Sequence, residues 1–185
     1  PAVRDRALEG QVAVTALLVV RGAGLSYPFC TAVITGPDTI ATARHCFKSG
    51  DLREALVNGR IEARPLLTPD SEGWVVMPPT DTVLDTLFRT SDIHEDSLQL
   101  KIHANLQGLP VVKFEVAKPN SLAFVASYFG FHEPPTVPAA PPYPIKAGIR
   151  ESKPGLCRIY ESDDQCVRLF CQTIGGFSGA PIFSR

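Results

Sequence analysis

The chain has 185 residues, of which 44% are hydrophobic, and a formal net charge of -1 at pH 7. This length and hydrophobic content are enough to bury a core in one domain or in two compact halves. The balanced charge gives no sign of nucleic-acid binding. The apolar run at residues 12–20 is too short and too interrupted to cross a bilayer. We therefore expect a soluble protein whose partners include neither nucleic acid nor a membrane.

Short apolar segments, separated by 17 prolines and 14 glycines, run along the whole chain. Such segments predict strands joined by turns. In chain order, the predicted strands are residues 12–20, 31–34, 98–102, 111–116, 122–128 and 166–172. Residues 52–57 and 82–88 could each form a turn or two of helix, and the proline-rich residues 132–144 predict a surface loop. This pattern predicts an all-β sandwich or barrel.

Five cysteines favour an oxidising compartment, so we expect a secreted or periplasmic protein. They are Cys30, Cys46, Cys157, Cys166 and Cys171. Their spacing and that of the histidines give no metal site, and no cofactor is implied. Cys157 could pair with Cys171 across a hairpin whose tip is residues 162–164, but pairing with Cys166 fits the sequence too. Either pairing leaves one of these three cysteines without a disulfide.

Three residues with the chemistry of nucleophilic hydrolysis occur in the order His, Asp, Ser. His45 lies in residues 39–46, TIATARHC, and Asp96 opens residues 96–102, DSLQLKI. Ser178 stands between glycines in TIGGFSGAP. This order and these flanking residues resemble the chymotrypsin-like serine proteases. Asp92 is a rival for the acidic residue, and the apolar alternation after Asp96 favours Asp96.

The resemblance implies two six-stranded antiparallel β-barrels. Residues 1–115 would form the N-terminal barrel, which carries the histidine and the aspartate, and residues 116–185 the C-terminal barrel, which carries the serine. A disulfide between Cys30 and Cys46 is implied as well. Only seven residues follow Ser178. We therefore expect that the second barrel is incomplete in this chain, that Arg185 is a cut end, and that a second polypeptide from the same precursor completes the barrel.

The resemblance also implies a role for each site residue in a serine endopeptidase that acts on peptides or proteins through an acyl-enzyme. Ser178 would be the nucleophile and His45 its base, since histidine has an ordinary pKa of about 6.5 that suits proton exchange near neutrality. Asp96 would orient the imidazole. The backbone N–H groups of Gly176 and Ser178 would form the oxyanion hole.

Specificity is only partly readable from the sequence. The segment around Ser178 resembles the bacterial secreted members, especially the glutamyl endopeptidases. Gln172 stands where trypsin-type enzymes carry an acidic residue, so a strong preference for Arg or Lys is not expected. Thr173 resembles the hydroxyl that contacts an acidic substrate side chain in glutamyl endopeptidases. The preferred residue stays open between acidic and small or polar side chains.

A second class of function has the same fold without catalysis. In that alternative the chain is a catalytically silent relative that serves as a binding module. Silent relatives usually lose at least one member of the catalytic set, and His45, Asp96 and Ser178 are all present. The sequence therefore favours the enzyme.

Overall fold

The structure is a computed structural model, and it is all-β, as the sequence predicts. It describes residues 13–22, 26–66, 72–81, 84, 96–109, 112, 118, 123–128, 147–149, 158–162, 167–170 and 178–184. The strands are β1 (Thr15–Arg21), β2 (Ser26–Gly36), β3 (Thr39–Ala43), β4 (Ile61–Pro65), β5 (Trp74–Val75), β6 (Ser97–Lys101), β7 (Ala123–Tyr128), β8 (Ala147–Ile149), β9 (Arg158–Ser162), β10 (Val167–Phe170) and β11 (Ile182–Ser184). A 3₁₀ turn (Arg44–Phe47) and helix α1 (Gly50–Val57) lie between β3 and β4.

Five of the six predicted strands overlap observed ones: β1, β2, β6, β7 and β10. The remaining prediction, residues 111–116, lies outside the described residues apart from Val112. Within the described ranges, no helix is long and apolar enough to span a membrane.

The first six strands form one antiparallel sheet in the order β5-β4-β1-β2-β3-β6. Its two edges meet, because Val76 after β5 forms an antiparallel bridge with Ile102 after β6. The N–H of Met77 donates to the carbonyl of Lys101, and the N–H of His103 to the carbonyl of Val75, each at 2.8 Å. These contacts close the sheet into a barrel, which leaves no long unpaired edge.

The barrel encloses an apolar core. In β6 the burial alternates, so that Leu98 and Leu100 point inward between exposed neighbours. Strand β1 lies between β2 and β4 and is buried along its length up to Val20. The largest fully buried side chains of this core include Leu18, Ile40, Leu56, Ile61, Val76 and Ile102. Each contributes about 1.5–3 kcal/mol relative to an exposed position.

Helix α1 follows the turn that carries His45. The side chain of Ser49 accepts a hydrogen bond from the N–H of Leu52 at 3.3 Å and caps the helix. The helix ends before Gly59, whose φ of 64° allows its N–H to reach the carbonyl of Leu56 at 3.1 Å. The helix predicted at residues 52–57 is confirmed. The one predicted at 82–88 lies outside the described residues apart from Leu84.

Strands β7 to β11 form two smaller sheets. One has the order β11-β7-β8, and the other is the antiparallel pair β9 and β10. Across the described residues of this half the five strands do not close into a barrel, which matches the expected incomplete second barrel. The predicted boundary between residues 115 and 116 falls outside the described residues, so it stays a prediction.

Candidate active site

The register between β3 and β6 places Asp96 beside the histidine turn. The two strands pair antiparallel as far as Ala43 opposite Ser97. One residue further on, the N–H of Arg44 donates to the carbonyl of Asp96 at 2.6 Å. The ladder therefore continues by one hydrogen bond beyond the strands. This extra hydrogen bond places the Asp96 side chain beside His45, the residue that follows Arg44.

An ion pair holds the other end of the same strand pair. Lys101 at the end of β6 contacts both carboxylate oxygens of Asp38 at 2.7 Å. The hydroxyl of Thr39 also donates to Asp38, at 2.9 Å. The hydrogen bond from Lys101, followed by that from Thr39, lowers the pKa of Asp38 below its ordinary value of 3.8. The ion pair connects the turn before β3 to β6, and so supports the register that positions Asp96.

Asp96 and His45 are joined by two hydrogen bonds. The backbone N–H of His45 donates to Oδ1 of Asp96 at 2.8 Å. Nδ1 of the imidazole lies 2.5 Å from Oδ2. An ionised carboxylate only accepts, so Nδ1 carries the hydrogen and Nε2 of the neutral ring is left as an acceptor. The carboxylate orients the ring through these two hydrogen bonds. Both side chains are 38% exposed, so the ring is still open to solvent.

A disulfide ties the histidine turn to β2. Cys30 in β2 bonds to Cys46, which follows His45, with a Cα–Cα distance of 6.2 Å. Both half-cystines are buried. Next to them, the rings of Phe29 and Phe47 pack edge to face, with centroids 5.7 Å apart. The pairing implied by the family resemblance is thus present, and it anchors the histidine turn to β2 within the core.

The segment that contains Ser178 lies against β2. The N–H of Thr31 donates to the carbonyl of Ser178 at 2.9 Å. Thr31 follows Cys30, so this hydrogen bond brings the serine of the second half to the strand that is disulfide-linked to the histidine turn. The Ser178 residue is half-buried.

Gly179 occupies the place where the β2–β3 ladder ends. The last ladder pair at this end is Ala32 with Thr42, and the next pair would be Thr31 with Ala43. A Cβ on Gly179 would clash with the carbonyl oxygen of Thr31 and the hydroxyl of Thr42, and would lie 2.9 Å from the nitrogen of Ala43. Its φ is +77°. Both the close approach and the backbone conformation require glycine here.

The structure thus brings His45 and Asp96 into contact and places the Ser178 peptide on the neighbouring strand. Three other predicted site residues lie outside the described residues, namely Gly176, Gln172 and Thr173. Sequence reasoning missed a role for Thr31 and Thr42, which contact the Ser178–Gly179 segment. The only signal for Thr42 is a hydroxyl in the run of residues 39–46 that carries His45, and such a hydroxyl needs a hydrogen-bond partner wherever it is buried.

A closed six-stranded antiparallel barrel, with an imidazole–carboxylate pair at the end of two of its strands, is a trypsin-fold domain. The sequence model of the trypsin family matches residues 4–111, more than half of the chain. The chain therefore belongs to the trypsin family of serine proteases. The matched range includes β1 to β6, with His45 and Asp96. A search of curated proteins found no match.

Proposed function

We propose that this chain is a serine endopeptidase in which Ser178 is the nucleophile, His45 the base and Asp96 the residue that orients the base. The observation that carries the proposal is the pair of hydrogen bonds from His45 to the two oxygens of Asp96, at 2.8 and 2.5 Å. Together they fix the ring and the proton on Nδ1. The neutral imidazole then has one free acceptor, Nε2, which is what a serine hydroxyl needs.

The reaction follows from these roles. Ser178 Oγ attacks the carbonyl carbon of the scissile peptide bond while Nε2 of His45 takes its proton. The oxyanion that forms accepts hydrogen bonds from the N–H groups of Gly176 and Ser178, each contributing on the order of 3 kcal/mol. The imidazolium gives its proton to the leaving amine, and the C–N bond breaks. Water then hydrolyses the acyl-enzyme with His45 again as base. Asp96 stays ionised throughout and stabilises the imidazolium.

The position of the Ser178 segment supports this assignment. Its carbonyl is held by Thr31, and Gly179 packs between Thr31 and Ala43. Ala43 is the last residue of β3, and His45 lies two residues further along the chain. The nucleophile segment and the base are therefore attached to the same end of the β2–β3 pair, although they come from different halves of the chain.

The substrates expected for a trypsin-family protease are peptides or proteins. Within that class we propose a preference for acidic or for small and polar side chains, on the likeness of the Ser178 segment to glutamyl endopeptidases and on Thr173. Gln172 supplies no charge for a buried cation, so Arg and Lys should not be favoured before the scissile bond. Profiling with a peptide library tests this, and a dominant basic preference would contradict it.

The organisation of the protein is a separate proposal. The buried disulfide is in keeping with a secreted or periplasmic protein. We keep the boundary between the two halves at residues 115 and 116, which limited proteolysis can locate. Completion of the second barrel by a second polypeptide is tested by intact-mass spectrometry of the purified protein before and after reduction. A folded, active protein of a single mass equal to this chain would rule that polypeptide out.

Labelling with a fluorophosphonate tests the function itself. The reagent should modify the wild-type protein at Ser178, and Ser178→Ala should abolish labelling. Ser26→Ala is the matched control, because Ser26 is an exposed serine at the other end of the β1–β2 hairpin, and it should label normally. A folded wild-type protein that is not labelled would instead support the silent binding module.

A further inference from the structure

The hydroxyl of Thr42 lies at the junction between the barrel and the Ser178 segment. It donates to the carbonyl of Thr31 at 2.7 Å, and the donor is buried. It also lies 3.8 Å from the sulfur of Cys46. The carbonyl distance is that of a strong hydrogen bond and the sulfur distance is that of a weak contact. The single hydroxyl proton is therefore directed at Thr31.

The peptide groups of Thr31 connect Thr42 to the nucleophile segment. The carbonyl of Thr31 accepts from Thr42, and the N–H of Thr31 donates to Ser178. The pairing of β2 with β3 ends at Ala32 and Thr42, so Thr31 is the first residue of β2 beyond that ladder. The hydroxyl of Thr42 donates to the carbonyl of Thr31 and so adds one more hydrogen bond between the two strands. The Thr31 peptides are therefore tied to β3 through a side chain.

Gly179 packs directly against this hydrogen bond. Two of the three atoms that a Cβ on Gly179 would meet are the carbonyl oxygen of Thr31 and Oγ1 of Thr42. The donor and acceptor atoms of this hydrogen bond thus pack directly against Gly179, the residue that follows Ser178. A shift of either atom would move this peptide relative to Ala43, and hence relative to the turn of His45.

We propose that Thr42 is a positioning residue for catalysis, whose hydroxyl holds the Thr31 peptide in the orientation that sets the distance between Ser178 and His45. The inference rests on the proposed function of Ser178 and His45. Thr42 contacts neither the substrate nor the reacting atoms. It acts through Thr31 and Gly179, and its loss should slow the step in which Ser178 attacks.

The test compares Thr42→Val with wild type. Valine keeps the branched shape and removes the hydroxyl. The rate constant for fluorophosphonate labelling, and kcat on a peptide substrate, should fall about 10-fold to 100-fold, the effect of a misplacement of about 1 Å, while KM changes little. Thr42→Ser, which restores the hydroxyl, should recover most of the rate. Thr35→Val in β2 is the matched control, since the hydroxyl of Thr35 donates to the carbonyl of Thr39 at the other end of the β2–β3 pair, and its rate should equal wild type.

The outcomes separate the inference from the function. If wild type is labelled at Ser178 and Thr42→Val is labelled at the same rate, the inference is wrong and the function stands. If wild type is not labelled, the proposed function fails first. A merely structural role would lower the melting temperature of Thr42→Val without changing kcat in the folded protein. Should Thr42→Val not fold, Thr42→Ser and Thr42→Ala give the same comparison, because only serine keeps the hydroxyl, and equal rates in both would overturn the proposal.

Discussion

Asp96 accepts two hydrogen bonds from one residue, His45: one from its backbone N–H at 2.8 Å and one from its ring Nδ1 at 2.5 Å. The two donors reach the two different oxygens of the carboxylate. The first bond fixes the turn and the second fixes the ring, so a single side chain sets both the place and the tautomer of the imidazole. The two residues are 51 positions apart in sequence, and the β3–β6 register alone brings them together.

Replacement of Asp96 by asparagine should impair catalysis much more than folding. The amide oxygen can still accept from the backbone N–H of His45. The amide NH₂ would then face Nδ1 and force the ring proton onto Nε2, which removes the acceptor for the serine proton. We expect kcat to fall by about 10⁴-fold. Asp51→Asn, at an exposed carboxylate in the first turn of α1, is the control. A loss of less than tenfold in Asp96→Asn would contradict the assigned role.

Asp38 should titrate below 3.8, because Lys101 and Thr39 donate to its carboxylate. Its depressed pKa in the folded state adds stability that is present above the unfolded pKa and is lost as pH falls through the folded value. NMR titration of the side-chain carboxyl measures this directly. Lys101→Met should return the pKa toward 3.8, whereas Lys48→Met, at an exposed lysine in the turn before α1, should not. A titration at or above 3.8 in the wild type would show that the ion pair does not persist in solution.

Gly179→Ala should be much more damaging than Gly108→Ala. Both glycines have positive φ, +77° and +83°. A Cβ at Gly108 meets nothing within 4 Å, whereas one at Gly179 would clash with Thr31 and Thr42. Gly108→Ala therefore isolates the backbone strain, about 1–2 kcal/mol. Gly179→Ala should lose more stability than that in chemical denaturation, and should lose labelling at Ser178. Equal effects of the two substitutions would show that the close packing of Gly179 is absent in solution.

Removal of the Cys30–Cys46 disulfide should lower the free energy of unfolding by about 3 kcal/mol, the value expected for a closed loop of this length, with the two cysteines 16 residues apart. Chemical denaturation of Cys30→Ala, Cys46→Ala and the double variant measures it. Either single variant should lose as much as the double, because each breaks the same bond. A double variant with the wild-type free energy of unfolding would show that the disulfide does not stabilise the fold.

The sequence by itself determined the local features of this protein. Alternating apolar residues such as Leu98 and Leu100 predicted β6, because only one face of a strand meets the core. The run of residues 39–46 carried part of the family resemblance, which implied the role of His45 and the disulfide of Cys46. The family resemblance indicated that His45, Asp96 and Ser178 form one site. Each of these signals comes from a short run of consecutive residues.

Only the tertiary structure decided how these pieces meet. The bridge from Val76 to Ile102 closes the barrel, the β3–β6 register sets Asp96 against His45, and Gly179 fits where the β2–β3 ladder ends. Each is a contact between segments distant in sequence. Such contacts depend on strand register, closure and close packing, which emerge only when the whole barrel is assembled. For that reason the sequence indicated no role for Thr42, and its hydrogen bond to Thr31 became visible only in the fold.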